Sequence, residues 1–288
     1  MTAAACAFPA CPALGLAVDD PDLTLCPTCR RPLAGATIGG RPGFRLTGLL
    51  GSGYYADVFR AIDLRSGRAC AAKGYRPGHA RRRAAAREAG ALRQLVHHRI
   101  PALIDSFVED GWRFVVMDLI DGPSLRAEVE GLGPLAVDRA IRLGAELCEA
   151  LEHVASRGWV FRDLHPKNVH LDPARGATLL DFDGARRANS RGAPGGRIGY
   201  RSPEVENRLR LTAAADVYGL AGCLHFALTG EDPPAEAGAL RIPPAARASR
   251  PALFDLLDQC RAPEPGRRPT AGFLGARFCL ISTRPSAG

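Results

Sequence analysis

The stretch that most constrains this chain is residues 159–184, Trp-Val-Phe-Arg-Asp-Leu-His-Pro-Lys-Asn-Val-His-Leu-Asp-Pro-Ala-Arg-Gly-Ala-Thr-Leu-Leu-Asp-Phe-Asp-Gly. It reads as a loop, a short hairpin and a second loop. Three of its side chains can converge: Asp163, Asn168 and, after the apolar pair Leu179-Leu180, Asp181. Two carboxylates and a carboxamide are hard oxygen ligands of the kind Mg²⁺ prefers beside substrate phosphates. Polar residues decorating a turn would look the same, so the rest of the chain has to decide.

With 288 residues the chain can build a two-lobed domain and a small appendage. Its hydrophobic share of 46% and charged share of 24% are ordinary for a soluble globular protein. A net charge of +8 suits phosphates or acidic partners. Aromatic residues make up 6% and do not interleave with basic ones, so no nucleic-acid partner is expected. The apolar N-terminus has Arg30 as its first basic residue and lacks the charged start of a secretory signal. Val217–Leu228 is too short to span a bilayer and suits a buried helix, so no membrane partner is expected either. Nine cysteines, four of them clustered, fit a reducing compartment and a metal site better than a disulfide framework. A cytoplasmic protein is expected.

The clustered cysteines form two hooks, Cys6-x4-Cys11 and Cys26-x2-Cys29. Two such hooks bring four thiolates onto one tetrahedral Zn²⁺ (or Fe), and a segment this small has no core of its own to hold it together. Pro9, Pro12, Pro27 and Gly35 suit tight turns rather than helices. Two disulfides, or unpaired thiols, are the alternative.

Residues 44–62 read as strand, glycine turn and strand around Gly51-Ser52-Gly53-x-x-Ala56-x-Val58, and Ala69-Cys70-Ala71-Ala72-Lys73 reads as the next strand. Glycine lets backbone close over phosphates without side-chain obstruction. From about His79 to Val96 the pattern is helical, with Glu88, Leu92 and Leu95 on roughly one face. Two strands follow, around 102–108 and 112–119, the second running into Met117-Asp118-Leu119-Ile120-Asp121-Gly122. Residues 134–156 are an amphipathic helix whose stripe of Ile141, Ala145, Cys148, Leu151 and Val154 reads as core. Beyond the central stretch lie Gly196-Arg-Ile-Gly-Tyr-Arg-Ser-Pro-Glu204, Asp216-Val-Tyr-Gly219 and Arg267-Arg268-Pro-Thr270.

In this order, over roughly residues 44–280, these motifs resemble the eukaryotic-type serine/threonine protein kinases of bacteria. The leader looks like the zinc-ribbon or rubredoxin-like segments that some of them carry. The resemblance implies an α+β, two-lobed protein-kinase-like fold with nucleotide bound between the lobes. Residues 1–40 would be the metal-binding leader and 41–121 the β-rich lobe, with a hinge near 118–122. Residues 122–280 would form the mainly helical lobe and 281–288 a tail. The implied cofactors are ATP and Mg²⁺ (or Mn²⁺), with structural zinc or iron in the leader. The implied reaction is transfer of the γ-phosphoryl group to a protein hydroxyl, and a further protein could recognise the leader.

Carried onto this sequence, Gly51, Ser52, Gly53, Ala56 and Val58 cover the nucleotide, and Lys73, oriented by Glu88, takes the α/β-phosphates. Ala71, Met117, Asp118, Ile120 and His170 surround adenine, with Met117 as gatekeeper. Asn168 and Asp181 hold Mg²⁺, and Asp163 faces the attacking hydroxyl. The equivalents of Glu204 and Arg268 form a buried ion pair, and the equivalent of Asp216 supports the catalytic-loop backbone.

Several positions depart from the family pattern. Phe161 replaces the usual His but keeps an apolar plug against Phe182. His165 stands where a Lys normally meets the γ-phosphate, as in small-molecule kinases. Asp183 replaces a glycine, tolerably because Asp accepts unusual backbone angles. His170 replaces an apolar adenine floor, and Arg197 replaces a Thr. The Pro-rich run 232–251 leaves little room for a substrate-docking helix. A small-molecule kinase and a nucleotide-binding pseudokinase therefore stay beside the leading reading of an active protein kinase. Because the leader would lie outside the catalytic core, loss of its metal is expected to alter regulation or solubility more than chemistry. Lys167, Arg187, Arg191, Arg197 and Arg201 are expected to disfavour basic peptides.

Overall fold

The computed structural model describes residues 4–15, 17–18, 23–40, 42–191, 195–242 and 244–282. The chain divides into two compact units, Met1–Arg93 with Ala102–Leu119, and Gln94–Pro101 with Ile120–Gly288.

In the first unit, β1 (Ala4–Ala5) pairs with β2 (Ala17–Val18). Then come β3 (Thr37–Ile38), β4 (Phe44–Ser52), β5 (Ala56–Asp63), β6 (Ala69–Tyr75), α1 (His79–Leu92), β7 (Leu103–Glu109) and β8 (Trp112–Asp118). Among the described residues six of these strands make one antiparallel sheet in the order β3-β4-β5-β6-β8-β7. Phe44 and Leu46 point into the core while Arg45 and Thr47 point to solvent, the two-residue alternation of a half-buried strand. Two bulges, at Leu46/Gly48 and Leu49/Gly51, bend β4 as it approaches the glycine turn. Gly74 on β6 is required by packing: a Cβ there would lie 2.9 Å from the Phe114 ring and 3.2 Å from Trp112.

The cysteine-rich leader packs into this core. Phe8, Leu25, Leu33, Ala36 and Ile38, with Cys6, Cys11 and Cys26, are buried in one apolar cluster with Phe44, Leu46, Phe59, Trp112 and Phe114 of the sheet. A few tens of residues cannot bury enough surface alone, so the leader borrows the sheet through β3 and the Phe8–Phe59 edge contact at 6.0 Å. Helix α1 also stops earlier than the pattern suggests, at Leu92 rather than Val96, with Arg93 as its C-cap, and Gln94–Pro101 is part of the second unit.

The second unit is mainly helical. It contains α2 (Leu125–Leu132), α3 (Val137–Ser156), β9 (Trp159–Val160), β10 (Val169–Asp172), β11 (Gly176–Leu179), β12 (Arg186–Arg187), α4 (Pro203–Glu206), α5 (Ala214–Thr229), α6 (Pro244–Ser249), α7 (Pro251–Cys260) and α8 (Ala271–Ser282). Ser124 caps α2 by accepting the Ala127 N–H at 3.1 Å, which satisfies an otherwise orphaned donor. Helix α5 is buried all round from Ala215 to Ala227, as a uniformly apolar helix must be, and α3 packs against both α5 and α8. Ile141, Cys148, Leu151 and Val154 of the α3 stripe are fully buried and Ala145 partly so. Among the described residues no helix is long and apolar enough to cross a membrane. Among the described residues the Pro-rich run holds the six-residue α6 and the first residue of α7.

Candidate active site

The first unit builds a lysine–glutamate pair beneath a glycine turn. Gly51 and Ser52 close β4, opposite Val58 and Asp57 on β5, and Val58 in turn faces Lys73 on β6. Burying an ammonium is costly unless it is paired, and α1 supplies the partner: Lys73 Nζ lies 3.1 Å from Glu88 Oε1. The second carboxylate oxygen of Glu88 accepts the Tyr75 hydroxyl at 2.6 Å, and Lys73 sits 5.0 Å over the Tyr75 ring. Glu88 is thus fixed at both oxygens. Ala56, Ala71 and Met117 are buried in the same unit, Met117 opposite Ala71 in the ladder and Asp118 closing β8. Ile120 begins the longer segment of the second unit.

The second unit folds its catalytic-loop candidates around main-chain bonds. The Asp216 carboxylate accepts the Phe161 N–H at 2.8 Å and the Arg162 N–H at 2.6 Å. Arg162 takes a left-handed conformation (φ 73°). Asn168 Nδ2 donates to the Asp163 carbonyl at 2.9 Å, leaving its amide oxygen available as a hard ligand, and its own carbonyl accepts the Leu180 N–H at 2.8 Å. The hairpin β10–β11 thereby brings Asp181 back beside Asp163. Burial raises the proton affinity of Asp163 above that of an ordinary carboxylate; His165 opposes the shift and the Asp181 charge reinforces it. His165 Nε2 stands 3.6 Å from Asp163 Oδ1, and its Nδ1 accepts the Lys167 N–H at 3.2 Å. Burial keeps His165 less basic than usual, so near neutral pH its proton sits on Nε2, facing Asp163. His170 lies on β10, bridged to Ser124, and burial likewise favours its neutral form.

The remaining departures acquire physical content. Phe161 packs edge-on against Phe182 with ring centroids 4.8 Å apart, the expected apolar plug. Asp183 needs no special backbone tolerance, since it lies in the short turn Phe182–Gly184 and the left-handed residue there is Asp181 (φ 67°). Arg197 faces Asp232 at 3.8 Å, while Asp232 also binds Tyr200 and Arg126. Arg187 stacks on Trp159 and Arg201 pairs with Glu206, so both are committed to scaffold contacts. Glu204 and Arg268 form a buried bidentate pair at 2.7 and 2.9 Å.

In the leader the four cysteine sulfurs lie within 4.8 Å of one another and form no disulfide. Cys6 and Cys29 are 3.7 Å apart and Cys11 and Cys26 3.8 Å, close to the ~3.8 Å edge of a tetrahedron with ~2.3 Å metal–sulfur bonds. Burial, opposed by the Arg31 backbone and reinforced by the other thiols, pushes Cys29 up to about 12. Cys26 is brought down to about 7 because the Cys29 and Thr28 backbone bonds outweigh its burial. A divalent cation would let all four ionise, and the cluster fits one. A second convergence, His97, His98 and Glu149, fits a metal poorly. His97 Nδ1 accepts the Arg99 N–H, so its Nε2 carries the proton toward Glu149, and Arg99 already holds the other oxygen of that carboxylate.

A two-layer sheet lobe with a paired lysine and a helical unit with an Asp-Asn-Asp loop system define a protein kinase. The protein kinase domain family matches residues 44–275, and the chain belongs to it, within the eukaryotic-type serine/threonine class of bacteria. It is 32% identical to the serine/threonine-protein kinase PknD of Mycobacterium tuberculosis over 237 residues, 79% of this chain and 35% of that protein. It is 33% identical to the serine/threonine-protein kinase PkaA of Streptomyces coelicolor over 212 residues, 68% of this chain and 39% of that one. The chain thus spans little more than a third of the length of these curated relatives. Membership of the family implies ATP and Mg²⁺.

Proposed function

We propose that the chain transfers the γ-phosphoryl group of Mg·ATP to serine or threonine hydroxyls of a protein substrate, in the cytoplasm. The observation that carries this reading is the buried Lys73–Glu88 pair at 3.1 Å. A lysine held by a glutamate that is itself fixed by Tyr75 is preorganised to receive phosphate oxygens, at no reorganisation cost when nucleotide arrives. Gly51, Ser52 and Gly53 cover the phosphates, and Ala56, Val58, Ala71, Met117, Asp118, Ile120 and His170 surround the base and sugar.

Asn168, through its free amide oxygen, and Asp181 would hold Mg²⁺, which neutralises charge developing on the phosphates. Asp163 orients the attacking hydroxyl and takes its proton, a task its raised proton affinity suits. His165, with its proton on Nε2, donates one hydrogen bond toward the transferring group but adds no full charge. The four cysteines hold zinc, and the leader is the surface a regulatory protein would read. A four-cysteine metal site suits a reducing compartment.

The test separates binding from transfer. Asp163→Asn should bind Mg·ATP by calorimetry nearly as the wild type does, while transfer of labelled phosphate falls at least about a hundredfold. Asp181→Asn should lose both, and Lys73→Met should lose transfer by misplacing the phosphates. Undiminished transfer by Asp163→Asn would sink its assigned role. Tight Mg·ATP binding by the wild type with no transfer to any protein would mark a pseudokinase.

A further inference from the structure

The leader reaches the glycine turn through one buried carboxylate. Asp57 is fully buried at the mouth of the β4–β5 hairpin, directly opposite Ser52. A buried carboxylate has to be matched by donors and cations. Its Oδ1 accepts Ser52 Oγ at 2.6 Å and Arg76 Nη2 at 2.5 Å. Arg76 continues into the turn: Nη1 donates to the Gly53 carbonyl at 3.0 Å and the Tyr54 carbonyl at 3.1 Å, and Nη2 reaches Ser52 Oγ at 3.2 Å. Carbonyl oxygens repel phosphate, so a guanidinium that draws the Gly53 and Tyr54 carbonyls to itself keeps them off a bound anion.

The other oxygen of Asp57, Oδ2, is buried with no hydrogen-bond donor among the described residues. The cation beside it is Arg31, with Nε at 3.9 Å. Arg31 comes from the second cysteine hook, which fixes its backbone on both sides. Its carbonyl accepts the Cys26 N–H at 2.7 Å, and its backbone bonds the Cys29 sulfur. Its guanidinium lies 4.4 Å over the Phe8 ring, and Phe8 packs on Phe59, two residues beyond Asp57 on β5.

We propose that Arg31, Asp57 and Arg76 form a relay from the four-cysteine knuckle to the glycine turn, with Asp57 as a positioning residue for the phosphate-binding backbone. The inference rests on the proposed metal and nucleotide roles of the two ends. While the knuckle is closed, Arg31 covers Oδ2 and Arg76 is left to hold the turn. When the knuckle opens, Oδ2 loses its neighbouring cation and competes with the Gly53 and Tyr54 carbonyls for Arg76, which loosens the turn. Metal content of the leader is thereby converted into nucleotide affinity without any leader residue touching the nucleotide.

The experiment uses the full chain, wild type and Arg31→Ala, each before and after metal chelation. Three quantities are read: metal content, affinity for a non-hydrolysable Mg·ATP analogue, and amide hydrogen exchange over residues 51–56. Arg31→Ala should keep its metal, bind the analogue about fivefold more weakly and exchange faster across the turn. Chelation should weaken the wild type by a similar factor and add nothing further to Arg31→Ala. Asp57→Asn, which keeps the shape and removes the charge that competes for Arg76, should lose the response to chelation. Wild-type exchange and affinity in Arg31→Ala overturn the relay. So does an equal effect of chelation in both proteins, or loss of metal from Arg31→Ala, which would make Arg31 a counter-charge for the thiolates instead. A chain without metal would end the metal reading alone, and a wild type that binds no analogue would end the nucleotide reading alone. In either case the Arg31→Ala exchange comparison still decides the relay.

Discussion

Asp57 in the first unit and Asp216 in the second are both buried carboxylates that hold a functional loop, yet their partners come from different places. Asp216 rises from the fully buried helix α5 and is satisfied by two main-chain N–H groups, those of Phe161 and Arg162, just ahead of Asp163. No lysine or arginine side chain pairs with it among the described residues, and burial pushes it up to about 7 even against those two bonds. Asp57 is held by side chains: Ser52 and Arg76 donate to one oxygen, and Arg31, anchored in the cysteine knuckle, is the cation beside the other. A loop whose main-chain N–H groups rest on a carboxylate of a buried helix answers to that helix alone. One held by a guanidinium answers to whatever holds that guanidinium. The contrast assigns constancy to the catalytic loop and adjustability to the phosphate-binding turn.

The largest expected effect tests the adjustable side. Cys26→Ser with Cys29→Ser removes half of the sulfur ligands, and structural zinc in small peptides contributes ~10–16 kcal/mol of apparent binding free energy. The wild type should carry about one metal ion per chain by elemental analysis. The double variant should carry none, and its leader should become open to proteolysis. Because the leader shares the apolar cluster of the sheet, β4 and β5 should exchange amide hydrogens faster as well. The Phe161 and Arg162 amides on Asp216 should keep wild-type protection. Equal loosening at both loops would break the contrast.

Breaking the constant side requires cutting into the second unit itself. Arg268→Ala leaves Glu204 buried without its bidentate partner and also removes the bonds to the Ala214, Ala262 and Pro263 carbonyls. Removing one member of such a pair costs ~3–5 kcal/mol. Denaturant unfolding should show that loss, with metal content unchanged. A change below ~1 kcal/mol would mean that the second unit does not depend on its own buried ion pair.

What could be read in advance follows the same division. Asp163, Asn168, Asp181, Asp216 and the four cysteines stand at motif spacings, because backbone geometry fixes how far apart such residues lie along a chain. Lys73 and Glu88 were legible for the same reason, on a strand and the helix after it. The Asp57–Arg76–Arg31 contacts were not, since nothing periodic links a hairpin mouth, a strand end and a cysteine knuckle. The Tyr75 bond to Glu88 was hidden too, as a strand tyrosine reads equally well as core. Nor did the local pattern place the end of α1 at Leu92 or the left-handed angle at Asp181.

The smallest expected effect is a pH signature that belongs to Asp216 alone. Its folded value of about 7 stands above the ~3.9 of an exposed aspartate. Between those values the folded protein keeps a proton that the unfolded chain has released. Folding stability from this group is therefore fully present below ~4 and is lost as pH rises through about 7, by at most ~1.4 kcal/mol per pH unit. Asp216→Asn cannot titrate, so the difference in unfolding free energy between wild type and variant should shift in the variant's favour from pH 5 to pH 8. The variant also loses one of the two N–H bonds, since an amide offers one oxygen where the carboxylate offers two, at a pH-independent cost of ~1–3 kcal/mol. The two contributions separate cleanly, one as an offset and one as a slope. Parallel stability curves would show that Asp216 is ionised throughout, its charge compensated by the two main-chain donors. The contrast would then rest on the source of the partners alone.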